Sequence, residues 1–505
     1  MSGARRADLS PGIMASLTDT RALSESYSDR LSLLYTVVNA GVLGCVMIVW
    51  PRVQMSTWLP VILLAAATFW LTQSRVSDYF SFGGASRIPA RSLWYVWAAF
   101  LAISLTRQFA ENLEFQRENS DQDSVFTSID ISLKNVTLFI TLANILVWNR
   151  RQTYSERMVS LLLGIGTYAL ANLVLDFVKP NEGMEVFGES RIEGKETRWV
   201  PPLARSNSTF AYMCACVIAA GIGWGVCNLQ KRRTTTRGLF LGILVGAGAV
   251  VPAAMAAYKT EFRSNAGAVL LAIGLAAVPF LRRRALSLNL LLTTILIMPI
   301  LFFSSLGYTV LRALSPEKLT SAAGARSEED ATLSARTYLW EYAGRRLASD
   351  PGVLLVGEGP VMRDATPGFY GVWIVGYRMN FHSACIEFLM ANGLILSLVA
   401  VGCVYRMLFL LYRRSGPPAL WGININGFDP CVLYMAASFV ISFVDPGIAP
   451  FEGFILLMLP GFGLLLEQHR QRVHSLAVAA PVHRSQPRPA RPSSHGSQPV
   501  AIPAG

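Results

Sequence analysis

Apolar residues fill twelve stretches of the chain, near 31–50, 55–73, 89–106, 133–149, 157–178, 207–228, 237–258, 264–281, 285–312, 383–412, 428–446 and 449–467. Most are close to twenty residues, the length at which an α-helix crosses the hydrocarbon of a bilayer. The third is short and the fourth carries Lys134. Short alternating strands of the kind that build a membrane barrel do not occur in the pattern. The expectation is an all-α polytopic membrane protein of about 12 transmembrane helices. The longest polar interval, 313–382, separates helices 9 and 10 and reads as a large external loop with short helices of its own. Residues 1–30 read as a polar tail, 31–312 as helices 1–9, 383–467 as helices 10–12, and 468–505, rich in Pro, Ser, Arg and Ala, as a disordered tail. The first apolar run is a full span rather than a short signal core, so no cleavable signal peptide is expected. No internal repeat is visible.

Composition sharpens this. Of 505 residues, 52% are hydrophobic and 15% charged, well below the quarter or so of a soluble protein, and the mean hydropathy is +0.40. A formal charge of +12 on a soluble chain would suggest nucleic acid. Here the cations sort by side. With the N-terminus inside, the short inner connections hold Arg75, Arg87 and Arg91; Arg150, Arg151 and Arg157; Lys231, Arg232, Arg233 and Arg237; Arg282, Arg283 and Arg284; and Arg413 and Arg414. The short outer ones hold Arg52, then Lys259 and Arg263, then none. That asymmetry follows the positive-inside rule. It predicts both termini in the cytoplasm, the 313–382 loop outside, the bilayer as partner and no nucleic-acid role. The seven Cys show no CxxC or Cys/His spacing, so they read as small buried apolar residues rather than a disulfide or zinc framework.

The candidate chemistry lies on the outer side. His382, where the loop re-enters the membrane, is the only His before the C-terminal tail; Ser383 and Glu387 follow it. It is either an interfacial helix-entry residue or a general base that positions a hydroxyl. In SARTYLWEYAGRRL, Arg336, Trp340, Ala343 and Leu347 fall on one helical face. That face is either a surface helix with a solvated Arg or an ordered helix aiming a guanidinium at a phosphate. Arg345 and Arg346 occupy other faces. Asp350-Pro351 stops the helix, and GEGP at 357–360 reads as a turn without the spacing of a phosphate loop. Arg263, in YKTEFRSNAG, is paired locally or bound to an anion. Arg205 opens span six from the same side. Asp445 and Glu452 flank the last outer turn and read as capping groups.

Three features of roughly residues 200–410 together resemble the O-antigen ligase and O-antigen polymerase superfamily of bacterial envelope glycosyltransferases. Ser334-Ala335-Arg336 with Trp340, Asp350-Pro351 and GEGP is similar to the family's R-x-x-x-W…P…G-x-G run. His382-Ser383 with Glu387, Gly393 and Leu394 is similar to its H-N-x-x-L…G-L segment, with Ser in place of Asn. Arg263 before an apolar stretch ending in Arg282, Arg283 and Arg284 is similar to the upstream S-R segment, although an alignment shifted by two puts Asn265 there. The resemblance implies a type C glycosyltransferase fold in the bacterial inner membrane, with its active face in the periplasm. The implied donor is a glycan on undecaprenyl pyrophosphate; the acceptor is lipid A core in a ligase, or a second lipid-linked glycan in a polymerase. Transfer would be inverting and independent of metal or other cofactor. Arg336 and Arg263 would grip the pyrophosphate and His382 would serve the acceptor hydroxyl, with Arg205, Trp340, Arg345, Arg346 and Glu387 in the substrate site. From a different class, a multi-span solute transporter remains open at this point, although the large outer loop and the scarcity of ionisable residues at span centres weigh against it.

Overall fold

The computed structural model describes residues 31–49, 58–73, 90–119, 133, 136–149, 151–178, 184–185, 198–199, 201–203, 207–229, 236–260, 269–270, 334–358, 366–367, 373–374, 384–414, 429–444 and 450–479. Among them the chain is almost wholly helical. The helices are α1 (Leu31–Val49), α2 (Trp58–Thr72), α3 (Arg91–Asn119), α4 (Val136–Trp148), α5 (Tyr154–Val178) and α6 (Asn207–Leu229). Then come α7 (236–260), α8 (Ser334–Ser349), α9 (Pro351–Val356), α10 (Ala384–Arg414), α11 (Pro430–Val444) and α12 (Pro450–Ala479). Two-residue strands β1 (Met184–Glu185) and β2 (Arg198–Trp199) pair antiparallel, as do β3 (Thr366–Pro367) and β4 (Trp373–Ile374).

Five described helices contain stretches long and apolar enough to cross a membrane: Leu31–Val49, Tyr154–Val178, Phe210–Cys227, Gly238–Thr260 and Cys385–Met407. Ile62–Thr72 and Val136–Trp148 are apolar but shorter. The expected spans near 264–281 and 285–312 lie outside the described residues, 269–270 excepted, as do the expected tail 1–30 and residues 480–505 of the expected tail 468–505; residues 468–479 of that tail instead continue α12. The expected span 89–106 proves to be the first part of a 29-residue helix, α3. It rises about 43 Å at 1.5 Å per residue, more than the hydrocarbon thickness.

Aromatic packing fixes one end of the bundle. Trp94 and Trp97 of α3 meet Phe462 of α12 at 4.9 and 5.1 Å between ring centroids, and Trp94 meets Trp148 of α4 edge-on at 5.4 Å. Large rings at such separations combine apolar burial with favourable quadrupole geometry. α6 packs along α11, where Tyr212 and Ser438 share a hydrogen bond, and α5 lies against α6 and α7.

At that same end α4 finishes in a π-turn, Asn144–Trp148. The wider turn leaves carbonyls without their usual partner one turn on. Arg157, in the first turn of α5, takes them: its Nη1 donates to the Leu146 carbonyl at 2.9 Å and the Val147 carbonyl at 3.4 Å, and its Nη2 to Glu467 Oε2 of α12 at 2.6 Å. The sequence placed Arg157 among the cations of a short inner connection. It is instead fully buried, because a guanidinium with carbonyl and carboxylate partners tolerates an interior that an unpaired one does not. Beside it, Gln152 joins α1 to α5: its Oε1 accepts from Asn39 at 2.9 Å and its Nε2 donates to Thr36 at 2.7 Å.

Candidate active site

The second cluster of buried apolar residues lies at the opposite end. Ala343 and Leu347 of α8, Val353 of α9, and Ile386 and Met390 of α10 close on one another, with Tyr342, Leu354 and Leu389 packed around them. Ala343 and Leu347 belong to the face read from the sequence, so α8 uses the C-terminal part of that face to dock. Arg336 and Trp340 lie on the first two turns of α8.

Asp350 and Pro351 do more than stop α8. Asp350 is the N-cap of α9: its Oδ1 accepts from the Gly352 N–H at 2.8 Å and the Val353 N–H at 3.3 Å, and Pro351 takes the first helical position, where no N–H is needed. α8 and α9 therefore form a hairpin with a rigid corner. Gly357 ends α9 at φ +84°, its N–H bonded to the Val353 carbonyl. The sequence-expected turn at GEGP thus begins as a helix end; residues 359 and 360 lie outside the described residues.

The end of α9 sits in a break of α10. Gly393 has φ +70° and ψ 178°, a conformation essentially restricted to glycine, inside an otherwise helical run. A Cβ on Gly393 would lie 2.5 Å from the Gly357 nitrogen, and one on Gly357 would lie 2.5 Å from the Gly393 nitrogen. Two backbones thus meet where only glycine fits at either position. The Glu358 N–H donates to the Met390 carbonyl at 2.8 Å, a carbonyl near the break. Arg346 Nε donates to Glu358 Oε1, tying the last turn of α8 to the same point. Arg107 of α3 reaches in from the other side. Its Nη1 donates to the Val356 carbonyl and its Nη2 to the Gly357 carbonyl at 2.9 Å. Phe100, two turns earlier on α3, stacks on Phe388 of α10 at 5.6 Å.

Of the residues singled out in the sequence, Arg345 is exposed on α8, Arg346 is engaged with Glu358, and Glu387 is buried in the first turn of α10. His382, Arg263 and Arg205 lie outside the described residues, and so does Asp445. Their flanks are described. Leu203, two residues before Arg205, donates its N–H to Asn172 Oδ1 at 2.8 Å, and Lys259 pairs with Asp176. Asp176 also accepts from the Trp199 indole N–H at 2.7 Å, and Lys259 lies over the Trp199 ring. The chain therefore approaches 204–206 and leaves for 261–268 from the C-terminal end of α5.

The two described regions lie toward one end of the bundle. Arg107 is thirteen residues beyond Trp94 on α3, a rise of about 20 Å away from the aromatic cluster. Asp176 is nineteen residues beyond Arg157 on α5, about 28 Å from the buried ion pair. The docked hairpin carries two described guanidinium groups at this end, Arg345 and Arg346, the second paired with Glu358. Among the described residues, no three His, Cys, Asp or Glu side chains gather closely enough to hold a metal ion.

Arg107 was not anticipated. In the sequence it is the first residue after the expected third span, ahead of a mixed-charge stretch. Gly393 was noted only as part of a motif; nothing in the apolar run around it marks a break. Compared with known proteins, the chain matches no family model and no curated protein.

Proposed function

We propose that the chain is a membrane glycosyltransferase of O-antigen ligase type. It transfers a glycan from undecaprenyl pyrophosphate to an acceptor hydroxyl of lipid A core. In this reading it spans the bacterial inner membrane twelve times, with both termini cytoplasmic and the loop between helices 9 and 10 in the periplasm. The observation that carries the reading is the docking of the α8–α9 hairpin on the first turns of α10 through Ala343, Leu347, Val353, Ile386 and Met390. It brings the helix bearing Arg336 and Trp340 to the helix that begins two residues after His382, as a shared site for the two motif segments requires.

The chemistry asks little covalent work of the protein. The acceptor oxygen attacks the anomeric carbon, the bond from that carbon to the pyrophosphate oxygen breaks, and the hydroxyl proton leaves through His382. Charge grows on the departing pyrophosphate. Arg336 and Arg263 neutralise it, with Arg205, Arg345 and Arg346 adding to the cationic surround; fixed guanidinium groups stabilise such charge without reorganising. Trp340 offers a face to sugar, and Glu387 supports His382 from the following turn.

The test is a lipopolysaccharide gel from a deletion strain complemented with the parent chain, His382→Ala or Arg336→Ala at matched protein levels. Loss of the ladder with accumulation of free lipid-linked polymer is expected for both variants. Normal ladders from both variants would overturn the site. A single repeat on the core would identify a polymerase acting on a second lipid-linked glycan. Absence of transfer by the purified chain from a lipid-linked donor would favour the transporter.

A further inference from the structure

We propose that Arg107 is a positioning residue for the transfer reaction, acting as a latch that holds the α8–α9 hairpin at the angle at which Arg336 meets its substrate. The proposal rests on the glycosyltransferase reading for its reaction, and on geometry alone for its latch.

The carbonyls at a helix C-terminus lack partners within the helix and carry partial negative charge. Arg107 offers a planar fork to two consecutive ones, Val356 and Gly357, from a helix 249 residues earlier in the chain. A fork on two acceptors fixes direction as well as distance. The other side of the same helix end is held by the Gly357–Gly393 backbone contact and the Glu358 N–H to Met390 bond. α9 is therefore clasped between α3 and α10 at its last residues, and Arg346–Glu358 carries the clasp into α8.

The clasp lies far from the group it would govern. From residue 347 to residue 336 along α8 is about 16 Å. A tilt of about 10° at the docked end moves the first turn of α8 by about 3 Å, and displacements near 1 Å can cost roughly a hundredfold in rate. Arg107 supplies the contact from α3 that fixes rotation.

Two measurements on the full-length chain test this. Ala343 is buried under the docked hairpin, so Ala343→Cys reports undocking through its rate of reaction with a membrane-impermeant maleimide, read against the chain without that substitution. The second measurement is transfer from a lipid-linked donor. Arg107→Ala is expected to raise labelling severalfold and to lower kcat by about 10- to 100-fold while donor KM changes little. Arg107→Lys keeps a single cationic nitrogen in place of the fork and recovers part of both. Gly357→Ala, which strikes the clasp from the opposite side, reproduces Arg107→Ala and decides the matter if that variant does not accumulate. Unchanged labelling in Arg107→Ala and Gly357→Ala would overturn the latch. Faster labelling with unchanged kcat would overturn the positioning role. If the parent chain transfers no glycan, the functional reading and the positioning role fail together, while the labelling series still judges the latch.

Discussion

Arg157 and Glu467, 310 residues apart in sequence, meet at 2.6 Å and tie the start of α5 to α12 where α4 ends. The guanidinium is buried completely and the carboxylate is 18% exposed. Removing one member of such a pair leaves a charge in a poorly solvated place. Arg157→Ala is expected to destabilise the detergent-solubilised protein by about 3–5 kcal/mol, seen as a lower Tm and poorer yield. Glu467→Gln, which keeps a neutral acceptor for the same nitrogen, should cost distinctly less. Equal losses would show that the charge of Glu467, and not its hydrogen bond, is what Arg157 needs.

The corner of the hairpin makes a local prediction. Asp350→Ala removes the acceptor for the Gly352 and Val353 N–H groups. An N-cap of this kind is worth about 1 kcal/mol, so amide exchange across 351–357 should accelerate about fivefold with global stability little changed. Unaltered exchange there would mean that the corner is held by packing alone.

Gly393 makes a sharper one. Any side chain at that position meets the Gly357 backbone and must also adopt a positive φ. Backbone strain of this class costs about 1–3 kcal/mol before the clash is counted. Gly393→Ala should expose the hairpin to trypsin at Arg345 and Arg346. Wild-type cleavage kinetics would show that α10 can run straight through this point.

Asp176 separates a charge effect from a hydrogen-bond effect. Lys259 is 45% exposed, so its pairing with Asp176 contributes within about 1 kcal/mol. The Trp199 indole N–H is buried and depends on the same carboxylate. Asp176→Asn should therefore be nearly neutral in thermal melting, and Asp176→Ala should cost about 1–3 kcal/mol. The reverse order would place the weight on the ion pair.

The helices themselves were legible because bilayer-length apolar runs leave few alternatives. The expected 207–228 became Asn207–Leu229, and 237–258 became 236–260. The docking face of α8 was legible too, since Ala343 and Leu347 recur at helical spacing. What could not be read were relationships set by distance in the fold. Arg157 looked like a loop cation because its partner lies in the last helix. Arg107 gave no signal because its acceptors are backbone carbonyls, which carry no sequence signature. Gly393 broke a helix whose composition favours continuation, because the reason for the break is another backbone.

The π-turn that closes α4 holds one residue more than an α-helical turn would. That surplus is what points the Leu146 and Val147 carbonyls at Arg157. A chain shortened by a single residue within 144–148 would keep its apolar length and could still form a helix. It would also close the wide turn to an α-helical one and move the seat of a buried cation. Insertions and deletions are usually tolerated in connections and tolerated least inside helices. At this turn the unit of tolerance is a single amino acid, and the damage would surface in α12, more than three hundred residues downstream.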